Sequence, residues 1–222
     1  MSKNYDKIML VIVMGSIWGA FEIFGAEFMK IVGVPHRSPF LFAFAILIMY
    51  AAKRMADIRG SAVAMAAVAG LYKVLSFSLP ACGSTAVMAV MIDGIVFETA
   101  YLLFKRRLES GTLARILAAP VLAYSSYLLF AVYAGYINPE SPASGGPQGR
   151  FGSGNFRGIA DYLSNSALLA SLLSIATINL GPVLGNVIRA GMTPQRLIPK
   201  TAAIKFFGLF ILIGVWVARI IY

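Results

Sequence analysis

A chain of 222 residues with 59% hydrophobic and only 13% charged residues lacks the polar surface of a water-soluble domain, which carries roughly 25% charged residues. The mean hydropathy of +0.79 agrees, so lipid is the expected solvent for much of the surface. The formal charge of +10 comes from basic residues set between apolar runs, where they act as topology signals and not as a nucleic-acid footprint.

A bilayer core of about 30 Å needs about 20 apolar residues per helix. The apolar runs here are continuous, not the short alternating segments of a barrel. The chain therefore reads as all-α: a polytopic membrane helix bundle of six to seven transmembrane helices, one domain over residues 1–222. The first run, Ile8 to Val32, follows the charged start MSKNYDK without a cleavage site at the place a removed signal needs, and reads as a membrane helix. It carries a small-xxx-small stripe, Gly15 and Gly19, suited either to packing within the chain or to docking another membrane subunit. The second run, Pro39 to Ala52, is short for a crossing. The third, Ser61 to Leu79, has its own stripe at Ala62, Ala66 and Gly70. The fourth is Thr85 to Phe104, the fifth Leu113 to Ile137, and the sixth Ile159 to Ile188, with Gly181-Pro182 expected to kink or end it. The seventh is Ala202 to Tyr222.

Lys and Arg set the orientation. With the N-terminus inside, Lys3 and Lys7, then Lys53, Arg54 and Arg59, then Lys105, Arg106, Arg107 and Arg115, and last Arg189, Arg196, Lys200 and Lys205 all fall on the cytoplasmic side. The expected location is the inner (plasma) membrane, multi-pass. The outer loops are poorer in charge. The third, 138–158, is dominated by Gly, Ser and Pro and reads as flexible. Its glycine spacing is no nucleotide fingerprint, because no strand precedes it.

An ionisable side chain inside a membrane helix is costly and usually faces a cavity or a partner. Glu22 and Glu27 lie in the first run, and Glu27 shares a face with Lys30 for a local ion pair. Lys73 stands about 20 Å above the inner end of the third helix, and Asp93 about 13 Å below the outer end of the fourth. They are expected to meet in the outer half of the membrane, as a ligand site or as a buried pair joining two helices. Glu98 lies nearer the inner side, with Lys105 or Arg106 as expected partners. The outer ends add His36 and Arg37, Cys82, and Asp161 with Asn165. Together these groups suggest an outward pocket between helices. Cys82 is the lone cysteine, so an internal disulfide is excluded. Catalytic templates fit poorly. The sole histidine excludes a His-rich zinc site, and Asp93-Gly94 lacks a second aspartate nearby. Lys205 is at the start of its run, not its centre as in a retinal protein.

This layout, with three outer loops over a pocket, the small-residue stripe at Gly15 and Gly19, and the stretches WGAFE, KVLS and IDGIVFE, resembles the substrate-binding S component of energy-coupling factor (ECF) vitamin transporters. The resemblance covers about residues 8 to 188; a seventh helix departs from the usual six. It implies a vitamin-like ligand bound outside and delivered inward, with energy from partner ATPases through a transmembrane coupling subunit that docks on the stripe. No P-loop exists in this chain. One branch of that family binds cobalamin through a cysteine in the loop that holds Cys82 here, and a thiolate suits such a metal. No other cofactor or metal is expected. Two further readings stand beside this one: a membrane enzyme acting on a lipid or prenyl chain with Glu22, Asp93 or Glu98 as acid or base, and a membrane assembly protein.

Overall fold

The computed structural model describes residues 2–75, 83–137 and 156–191. Cys82, most of loop 138–158 and the seventh apolar run lie outside the described residues. Among those described, six helices and no strand occur. Helix α1 is Ser2–Ala20, continued through a π turn, Phe21–Gly25, into Ala26–Ile31. Helix α2 is Ser38–Met55, α3 Ser61–Leu75 and α4 Gly83–Ser110. Helix α5 is Thr112–Val132 with a π turn Tyr133–Ile137. Helix α6 is Phe156–Tyr162, a π turn Leu163–Ala167, and Leu168–Gly191.

Five of these helices are long and apolar enough to cross a membrane, and α3 is a shorter apolar helix. The second run is not short after all. Pro39 sits in the first turn of α2, where a missing N–H costs nothing, and the helix continues through Lys53 and Arg54 to 18 residues. Helix α4 likewise outlasts its apolar run, carrying Lys105 to Arg107 in helical form. Helix α6 passes through Pro182 without ending.

The helices close into a ring in which α1 packs on α3, α3 on α4, α4 on α5, α5 on α6, and α6 on α2. Helix α2 also touches α1, α3 and α4, and 67% of its apolar window is buried against 44% or less in the other long helices. It is the interior helix, while the others turn leucines and valines such as Leu103, Leu117 and Val187 outward.

Small residues set the close approaches, as they must where lipid supplies no hydrophobic drive between helices. A Cβ on Gly94 of α4 would fall 2.4 Å from the Ala66 Cβ of α3. On Gly181 and Gly185 of α6 it would fall 2.8 Å from the Tyr50 Cβ and 2.6 Å from the Ala51 carbonyl of α2. Gly15 and Gly19 behave the same way. Their faces are filled by Met65 and Val68, and by Ala69 and Tyr72, all on α3. The stripe on α1 therefore serves packing within the chain, and the expectation that it docks a partner subunit is corrected.

Candidate functional site

The ring holds two polar centres, one toward each end. At the lower end, Glu98 of α4 does not meet Lys105 or Arg106. Its Oε1 lies 2.7 Å from the Lys53 ammonium and accepts the Gly60 N–H at 2.8 Å, while Oε2 accepts the Ala62 N–H at 2.9 Å. Lys53, expected in a cytoplasmic loop, is buried and also donates to the Ile58 carbonyl at 2.7 Å. Lys105 instead pairs with Asp57 at the surface. The Glu98 carboxylate of this lower centre is filled by partners from the chain itself.

At the upper end a cavity of about 180 Å³ opens between the C-terminal part of α1, the start of α2, the end of α3, the start of α4, the end of α5 and the start of α6. Glu22, Lys73 and Asp93 are all on its wall. Convergence of Lys73 and Asp93 on one place agrees with the sequence reading, but the ion pair forms elsewhere. The Lys73 ammonium lies 3.0 Å from Glu22 Oε2 and donates to the Glu22 carbonyl, also at 3.0 Å. The Trp18 indole N–H donates to Glu22 Oε1 at 3.3 Å, one turn below. Glu22 stands in the π turn of α1. The other two π turns are in α5 and α6, beside the wall residues Phe130 and Tyr162. Single π turns inside α-helices recur at functional sites because they re-aim the backbone locally.

Sequence reasoning missed the hydroxyl and ring side of this wall. Ser126 and Tyr127 come from α5, Ser38 and Phe42 from α2, and Tyr162 from α6. The Tyr127 hydroxyl donates to Ser38 Oγ at 3.2 Å. Its ring lies 5.2 Å from that of Tyr162 and meets Phe42 edge-on at 5.9 Å. Ser126 is buried, with its hydroxyl beside the Asp93 carboxyl. Nothing in a serine-tyrosine pair on an apolar helix separates it from packing residues until the ring order of the helices is known.

The remaining expected site residues that are described do not line the cavity. Glu27 forms the anticipated pair with Lys30, at 3.0 Å, on an exposed face. His36 is exposed, in a left-handed conformation with φ 51°. Asp161 and Asn165 are exposed, and the Asn165 amide donates to the Asp161 carbonyl at 2.8 Å within the same helix. No group of three or more His, Cys, Asp or Glu that would hold a metal occurs among the described residues.

No protein-family model matches the chain, and no curated protein or solved structure matches it significantly.

Proposed function

We propose that this protein is the substrate-binding membrane subunit of an uptake system, holding a vitamin-like small molecule in the upper cavity. The observation that carries the reading is the cavity itself: three ionisable side chains, Glu22, Lys73 and Asp93, brought together between apolar helices. Such groups are expensive in a membrane and are retained where they face a ligand or a pathway. The wall offers charge and hydroxyls for orientation and rings for contact, the usual balance of a small-molecule site.

In this reading the helices cross the plasma membrane with the N-terminus in the cytoplasm, as the basic residues favour, and the cavity opens outward. The resemblance to ECF S components supports partner ATPases and a coupling subunit as the energy source. That subunit would dock on a face other than Gly15 and Gly19.

Native mass spectrometry of the gently purified protein tests the proposal. A water-soluble small molecule travelling with the protein is expected. A bound prenyl lipid would move the reading to a lipid-processing enzyme. A protein that is empty and stays empty when offered vitamin mixtures would overturn it.

A further inference from the structure

The chemistry of the cavity wall narrows the class of ligand. Its ionisable groups are two carboxylates and one ammonium. The ammonium of Lys73 is matched to Glu22. The four ion pairs among the described residues join Glu27 to Lys30, Glu98 to Lys53, Glu22 to Lys73 and Asp57 to Lys105, and none includes Asp93. An ionised carboxylate between apolar helices calls for a positive partner, and no ion pair among the described residues supplies one.

The other groups on the wall fit an organic cation better than an inorganic one. Ser126 is 1% exposed and stands beside the Asp93 carboxyl, and its Oγ lone pairs can accept an N–H. The Tyr127 and Tyr162 rings, 31° apart in tilt, form a broad aromatic side with Phe42. Aromatic faces attract cations and stack flat rings. A cavity of about 180 Å³ is smaller than the ~300–1,000 Å³ of sites for drug-sized ligands, so the occupant is compact.

We propose that the cavity recognises a compact, flat organic cation, such as a protonated amidine or amino-heterocycle. Asp93 is its counter-ion, Ser126 its hydrogen-bond acceptor, and the Tyr127 and Tyr162 rings its aromatic wall. The proposal rests on the small-molecule reading above and adds the charge and shape of the ligand.

Three flat probes of one size and different charge test it on the full-length protein in nanodiscs: benzamidinium, benzamide and benzoate. Saturable binding is read by calorimetry and by thermal shift. Benzamidinium is expected to bind tightest and benzoate not at all, an order that needs no variant. Asp93→Asn is expected to weaken benzamidinium about tenfold or more while leaving benzamide unchanged, and Ser126→Ala to weaken it less. Benzoate binding as well as benzamidinium, no benzamidinium binding, or stabilisation by sodium or potassium alone would each overturn the cation class. Native mass spectrometry separates this failure from that of the underlying reading. A neutral or anionic molecule bound in the purified protein removes the cation and keeps the small-molecule site. An empty protein that binds no probe removes both.

Discussion

Neutralising Glu98 should cost more stability than any other single change of charge in the described bundle. Glu98 and Lys53 are 5% and 2% exposed. Their 2.7 Å contact joins α4 to α2, and the same carboxylate takes the Gly60 and Ala62 N–H groups at the start of α3. Those N–H groups have no carbonyl within their own helix to bond. Glu98→Gln removes the charge and leaves the Lys53 ammonium buried, 5.0 Å from the Tyr101 ring centre, with neutral acceptors such as the Ile58 carbonyl but no counter-ion. Breaking a buried pair in this way costs about 3–5 kcal/mol. Lys53→Met strands the carboxylate and should cost a similar amount. The double variant strands no charge, so it should cost less than the sum of the two, with a coupling of about 0.5–3 kcal/mol. Equilibrium unfolding in mixed detergent micelles measures all three. The control is Glu27→Gln, whose pair with Lys30 has side chains 37% and 61% exposed and should lose about 0–1 kcal/mol. A Glu98→Gln cost no larger than the control, or strict additivity of the double variant, would refute the reasoning.

Two further outcomes follow from packing and topology. Gly94→Leu should destabilise by about 1–3 kcal/mol or more, because its Cβ would meet the Ala66 Cβ at 2.4 Å and the Ala62 carbonyl at 3.0 Å. In the same unfolding assay, adding Ala66→Gly to Gly94→Ala should recover part of the smaller loss. For orientation, Pro35→Cys and Arg59→Cys, both exposed and in connections at opposite ends, are placed in a Cys82→Ser background. An impermeant maleimide should label Pro35→Cys in intact cells and Arg59→Cys only after lysis; the reverse pattern would invert the proposed topology.

Much of the fold was legible because a lipid solvent leaves a plain signature. Six apolar runs became the six described helices, and Lys53 in α2 and Lys105 in α4 continue a helix beyond its apolar run. Local pairs were legible too, since Glu27 and Lys30 lie one turn apart on one helix. Partners across helices were not. Glu22 and Lys73 are 51 residues apart, and Lys53 and Glu98 are 45 apart. Their meeting depends on α1 lying beside α3 and on α2 running through the interior, which no periodicity within a single helix encodes. Lys53 was hidden for a further reason. A lysine beside Arg54 at the end of an apolar run carries the same composition as a loop charge. Likewise, Gly15 and Gly19 show that a close approach is needed, but not whether the other surface belongs to this chain.

The two polar centres are built from the same kinds of residue, and they differ in how their carboxylates are paired. Around Glu98 both carboxylate oxygens are occupied, one by an ammonium and an N–H and the other by an N–H. The lysine is held by a carbonyl and a ring as well. The charges of such a centre are matched when the chain has folded. At the upper end Glu22 is completed by Lys73 and Trp18, but the same wall carries Asp93, which is in none of the ion pairs among the described residues and has the buried Ser126 hydroxyl beside it. Burial of unsatisfied polar groups opposes folding, so a chain built only for architecture would gain by replacing both with apolar residues. Their presence beside a cavity is intelligible if a partner arrives from outside, carrying the positive charge that Asp93 has in none of these ion pairs.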